Sequence, residues 1–192
     1  MAEHPKIAWG DESIRVSAPN PAYIMAATVL PGGCDFSRLA QIKPKTSGKL
    51  HWRELTDKIR REALREVAAI GGQTMIVVAT PLPKKKQERG RRKCLEVLLP
   101  ALEEAGVDTL VLESRILQLN SKDIDMLDAL RVRHAVSRIG IEHAHADEEP
   151  SLWVPDQILG AFGDDLCGDV RDTWRQPWEE IRPSLTVLQS GM

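Results

Sequence analysis

Several shortages in this sequence narrow what it can be. Only three cysteines occur among its 192 residues. Cys34, Cys94 and Cys167 are scattered and form no CxxC pair, which excludes a disulfide scaffold and predicts thiols kept reduced. Aromatic residues make up 4 % of the chain. Base stacking is therefore a weak expectation, and no RNP-type aromatic motif is present. No run of about 18 apolar residues exists, which excludes a transmembrane helix. The polar opening leads into too short an apolar run for a signal peptide. These features predict a cytoplasmic chain with no membrane partner. Neither GxGxxG nor GxxxxGK[ST] occurs, so nucleotide cradles of those types are unsupported, and there is no GxSxG elbow.

What is present is an ordinary globular composition, 42 % hydrophobic and 28 % charged. A chain of this length can bury a core in one domain without staples. The net charge of -2 hides an asymmetry. Residues 83–93 read PKKKQERGRRK, where seven basic residues against the single acid Glu88 give +6 and leave -8 on the remainder. A basic segment of this kind, from Lys84, Lys85 and Lys86 through Arg89, Arg91 and Arg92 to Lys93, can grip a phosphate backbone or stand as a solvated linker.

Ile7, Trp9 and Asp11 alternate as on one face of a strand. The apolar run 23–30, closed by Pro31-Gly32-Gly33, predicts a buried strand paired with the first. Residues 34–49 read as loop. Leu55, Ile59, Ala63, Val67 and Ile70 recur at helical spacing and predict a helix over 51–70, ended by Gly71-Gly72. Residues 74–80 read as a buried central parallel strand. A second helix follows from the basic segment to Ala105, kinked at Pro100. After a strand over 109–113, Asn120 or Ser121 caps a third helix that carries Ile124, Leu127 and Leu130 and ends at Gly140. A short strand over 141–147 and a last helix from Pro155 to Cys167 complete the domain, residues 1–167. The tail, 168–192, reads as irregular with one helical turn, and Trp174 and Trp178 pack it onto the body. An opening hairpin followed by alternation predicts an α/β fold with a mixed sheet and helices on both faces.

Acids stand at the ends of predicted strands: Asp11 and Glu12 on the first, Glu113 after Leu110-Val111-Leu112. Ligands of open α/β sheets bind at the carboxyl ends of strands. Neighbouring carboxylates repel unless a cation lies between them, and hard divalent ions take oxygen ligands. Glu54, in the first turns of the first long helix, and Asp156, at the start of the last, bring the acids to a number able to hold two metals.

Short motifs link these residues to a family. Asp11-Glu12-Ser13, Leu50-His51-Trp52-Arg53-Glu54-Leu55, Val111-Leu112-Glu113-Ser114 and Trp153-Val154-Pro155-Asp156-Gln157-Ile158-Leu159 together resemble the bacterial domain-of-unknown-function family 3800, which has an RNase H-like fold. The resemblance spans residues 7 to about 167 and departs at Pro155, where a small residue is expected. It implies a nuclease that cuts phosphodiesters, RNA more than DNA, with Mg²⁺ or Mn²⁺, in a toxin or defence setting. Asp11 would bridge the metals. Glu54, Glu113 and Asp156 would complete the shell with Glu12 in reserve, and His51 would position water or phosphate. Nucleic acid is then the partner, with a homodimer allowed.

Two other readings stand beside this one. The same fold can serve as a catalytically inactive nucleic-acid-binding or scaffold module. Alternatively, His143, His145 and Asp147 of an HxHxD segment lie on one strand face and hold zinc in a hydrolase, although Glu148 replaces the last His of the metallo-β-lactamase signature that the segment resembles.

Overall fold

A computed structural model describes residues 5–16, 20–82 and 86–191. β1 (Ile7–Arg15) and β2 (Ala22–Val29) form the expected antiparallel hairpin, with Asp11 opposite Ala26. β2 is buried along nearly its whole length because it lies inside the sheet with helices on each side. Its even residues Ala22, Ile24 and Ala26 face one core, and its odd residues Tyr23, Met25 and Ala27 face the other. β3 (Gln73–Thr80) pairs antiparallel with β2. β4 (Thr109–Glu113) and β5 (Gly140–Ala144) add in parallel beyond β1, and β6 (Leu185–Gly191) adds in parallel beyond β3. The result is one six-stranded mixed sheet in the order β5-β4-β1-β2-β3-β6.

The helices divide between the faces. Leu64 and Val67 of α2 (Asp57–Ile70), Ile158 and Leu159 of α5 (Trp153–Leu166), and Trp174 and Trp178 of α6 (Asp172–Ile181) fill the core on the even side of β2. Leu95, Leu98 and Leu102 of α3 (Gln87–Glu104) and Met126, Leu127 and Leu130 of α4 (Leu117–Val132) fill the core on the odd side. α1 (Ser37–Ile42) occupies part of the stretch expected to be loop and buries Leu39.

Four expectations are corrected. The first long helix begins at Asp57, capped by Thr56, whose side chain accepts the Ile59 N–H. Residues 52–54 form a separate 3-10 turn, so Glu54 is not in the helix. α4 starts at Leu117 and ends at Val132, not at Gly140, and it turns Asp123 inward while Ile124 is exposed. β3 is central but mixed, being antiparallel to β2 and parallel to β6. The tail is no irregular appendage: α6 and β6 are part of the layers, and Trp174 and Trp178 are fully buried. No helix among the described residues is long and apolar enough to cross a membrane.

Candidate functional site

β1 and β4 run parallel with Gly10 beside Leu112, so the next residues, Asp11 and Glu113, lie side by side. Gly10 and Leu112 belong to the α3/α4 side, and alternation therefore sends both acids to the opposite side, toward α5. There Asp156, in the first turn of α5, meets them. Its carboxylate accepts from the Trp52 backbone N–H at 2.8 Å and from Gln157 Nε2 at 2.7 Å, and its other oxygen lies 2.7 Å from His51 Nδ1. Asp11 and Asp156 line the same pocket. Burial first, then the charges of Asp156 and Glu113, push the Asp11 carboxyl well above the usual aspartate range.

A lysine faces this group. Lys49 Nζ donates to Glu113 Oε1 at 2.5 Å. Burial alone would lower the lysine, but its hydrogen bond to Glu113 and the charges of Glu113, Asp11 and Asp156 raise it above the ordinary value. Its hydrogen bond to Asp156 outweighs burial to raise His51, and pairing through Nδ1 leaves Nε2 of that ring for another partner.

The two strand-end pockets share Asp11, Glu12 and His51. One, of about 360 Å³, runs past Asp156 to Arg15, Arg53 and Gln87. The other, of about 180 Å³, includes Glu113, Ser114 and Arg115. Gln87 opens α3, so that helix begins at the rim of the first pocket.

Packing on α5 fixes the His51 turn. The Trp52 ring lies against Gly160, where a Cβ would come within 2.1 Å of the ring. Trp52 also donates from Nε1 to Asp164, carries Arg60 over its face at 4.7 Å, and stands edge-on to Trp174.

Asp11, Glu113, Asp156 and His51 thus come together, and other expected residues do not. Glu54 is exposed on the 3-10 turn and lines neither pocket. Glu12, opposite Met25, points through the sheet to the other side, where it accepts from the Tyr23 hydroxyl at 2.6 Å and contacts Arg91. Arg91 is not a surface grip: it is 3 % exposed and makes a two-pronged pair with Asp123. Lys93 is held by Glu96. Lys86, Arg89 and Arg92 are exposed, and Lys84 and Lys85 lie outside the described residues.

The HxHxD segment does not assemble, because β5 stops at Ala144. His143 Nε2 is taken by Asp123 at 2.9 Å, while His145 and Asp147 are exposed beyond the strand. Among the described residues, no group of three or more His, Cys, Asp or Glu stands at metal-holding spacing. The donors around Asp11 suit a hard cation in kind, three carboxylates from three elements. As positioned, however, Glu113 is engaged by Lys49 and Asp156 by His51 and Trp52, and the three do not form a ligand shell.

Sequence reasoning passed over Lys49, since it sits in a Lys/Ser/Gly/Pro stretch with no periodicity to single it out. It also passed over the Arg91–Asp123–His143 network, which only the turn of α4 brings together. No family model matches the chain, and no curated protein matches its sequence.

Proposed function

We propose that the protein is a divalent-metal-dependent nuclease with an RNase H-like sheet, acting on RNA more than DNA. The observation that carries this reading is the meeting of Asp11, Glu113 and Asp156, from β1, β4 and α5, at a cleft bordered by the start of the basic helix α3. The mixed sheet, with its opening hairpin and the parallel strands added beyond β1, supports the fold part of the reading.

Within this reading, the three carboxylates would hold Mg²⁺ or Mn²⁺, whose charge activates water and stabilises the leaving oxygen. The chain's own residues do the rest. His51, oriented by Asp156, offers Nε2 to a water or a phosphate oxygen. Lys86, Arg89 and Arg92 hold the backbone of the nucleic acid by charge. Glu54 and Glu12 have no part in it.

A second reading is favoured by a specific observation. The carboxylates are engaged by protein groups rather than arranged as a ligand shell, which suits a catalytically silent nucleic-acid-binding module. One assay separates the two: incubation of labelled RNA and DNA with Mg²⁺ or Mn²⁺, with EDTA and Asp11→Asn as controls. The nuclease reading expects cleavage that EDTA and Asp11→Asn abolish. Binding without cleavage under every metal condition would overturn it in favour of the silent module.

A further inference from the structure

The donors around Asp11 match a divalent cation in kind but not in arrangement, and Lys49 accounts for the difference. It arrives from the segment before the His51 turn and places its ammonium against Glu113, within the fields of Asp11 and Asp156. Of the three acids, Glu113 is the one that the lysine holds directly, while Asp156 is taken by His51. An ammonium and a metal ion compete for the same carboxylate oxygens, and two cations a few ångströms apart in a partly buried site repel each other. We propose that Lys49 is the resident counterion of this site and that a divalent ion binds by exchange, displacing the lysine from Glu113. This rests on the metal-dependent reading above and adds to it a gate: the site is held together without metal, and metal entry frees the lysine.

The geometry suits exchange better than permanent pairing. Lys49 and Glu113 are each about one-third exposed on their side chains (34 % and 33 %), so the ammonium has a path to solvent. The pair is also long-range in the chain, 64 residues apart, so the segment carrying Lys49 can shift without breaking β4. His51, two residues on, is anchored separately by Asp156 and need not follow.

The test is a titration with Mn²⁺ alone, read as free Mn²⁺ by electron paramagnetic resonance, on the full chain and on Lys49→Met and Lys49→Arg. Removing the competing charge should tighten Mn²⁺ binding by about tenfold or more, while Lys49→Arg, which keeps the charge, should stay near the unaltered protein. A second measurement needs no variant. The rate of acylation of Lys49, mapped by mass spectrometry, should be higher in samples with Mn²⁺ than in samples without it, and should fall back in samples chelated before the reagent is added. If Mn²⁺ binds but Lys49→Met binds it no more tightly, or Lys49 labelling does not change, the exchange is refuted and the metal reading stands. If neither protein binds Mn²⁺, the metal reading falls and the exchange falls with it.

Discussion

Replacing Asp123 should cost more than any other single change on the far side of the sheet. Asp123 is 2 % exposed, and both oxygens are used. Oδ1 accepts from Arg91 Nε at 2.7 Å and from Arg115 Nη2 at 3.1 Å. Oδ2 accepts from Arg91 Nη2 at 2.8 Å and pairs with His143 Nε2 at 2.9 Å. Burial alone would raise this carboxyl, but the hydrogen bonds and charges of Arg91, His143 and Arg115 prevail and bring it down to about 2. Against an ordinary aspartate, that shift is worth about 2 kcal/mol of folding stability. Because the folded value is depressed, the contribution is complete above about pH 4 and is lost as the pH falls through about 2. Asp123→Ala removes this and also strands the Arg91 guanidinium, whose other acidic contact is Glu12. The expected loss at neutral pH is about 3–5 kcal/mol. Urea unfolding of both proteins from pH 7 to pH 2 gives the assay. The gap between them should narrow by about 2 kcal/mol at the acid end. Pairing the change with Arg91→Met should cost less than the two single changes together, because no buried charge is then left facing Asp123. A loss below about 1 kcal/mol, or a gap that does not move with pH, would refute the reasoning.

Gly160→Ala should destabilise the fold by about 1–3 kcal/mol or more in urea unfolding. The new Cβ would strike the Trp52 ring at 2.1 Å, and Arg60, Trp174 and Asp164 leave that ring little room to move. An unchanged midpoint would show that α5 can move away from the His51 turn. Lys86→Ala, Arg89→Ala and Arg92→Ala together should leave the folding transition in place, since all three are exposed. They should weaken RNA binding and flatten its log–log salt dependence by about 2 for a single strand. An unaltered slope in a filter-binding series would place the nucleic acid elsewhere.

The parts of the fold that were readable in the sequence are those where apolar period and burial agree. The run 23–30 had to be a buried strand, and Ala63 and Val67 on one face had to be a helix, because no other arrangement hides them. The misreadings occur where burial and apolarity part company. α4 buries Leu127 and Leu130 as expected, but it turns the charged Asp123 inward and leaves Leu117 86 % exposed, so its first half does not follow the apolar pattern. β6 is an edge strand whose one buried residue is Ser190, which gives no alternating signal. α6 carries Pro177 inside, which argues against a helix even though Trp174 and Trp178 stand at helical spacing. Glu54 was misplaced for a related reason: the apolar positions run on without a break, and only the Thr56 cap shows where the helix begins.

The charge pattern was read as one basic patch against an acidic body, but the sheet sorts it differently. Asp11 and Glu12 are neighbours in the chain, yet strand alternation sends them to opposite sides. On Glu12's side, Arg91 and Arg115 stand among Glu12, Asp123 and Glu88, with His143 against Asp123. That side is within one charge of neutrality and has bidentate geometry, so a further cation gains little there and would have to break Arg91's pair. On Asp11's side, Asp11, Glu113 and Asp156 crowd together, with Lys49 against Glu113 and His51 against Asp156. Acids crowded closely enough to push Asp11 upward are a standing attraction for a cation. A divalent ion should therefore be drawn to the Asp11 side and not into the Asp123 network. Arg91, taken from the middle of the basic run, pairs the acids of one side and leaves the crowded carboxyls of the other to Lys49 and His51.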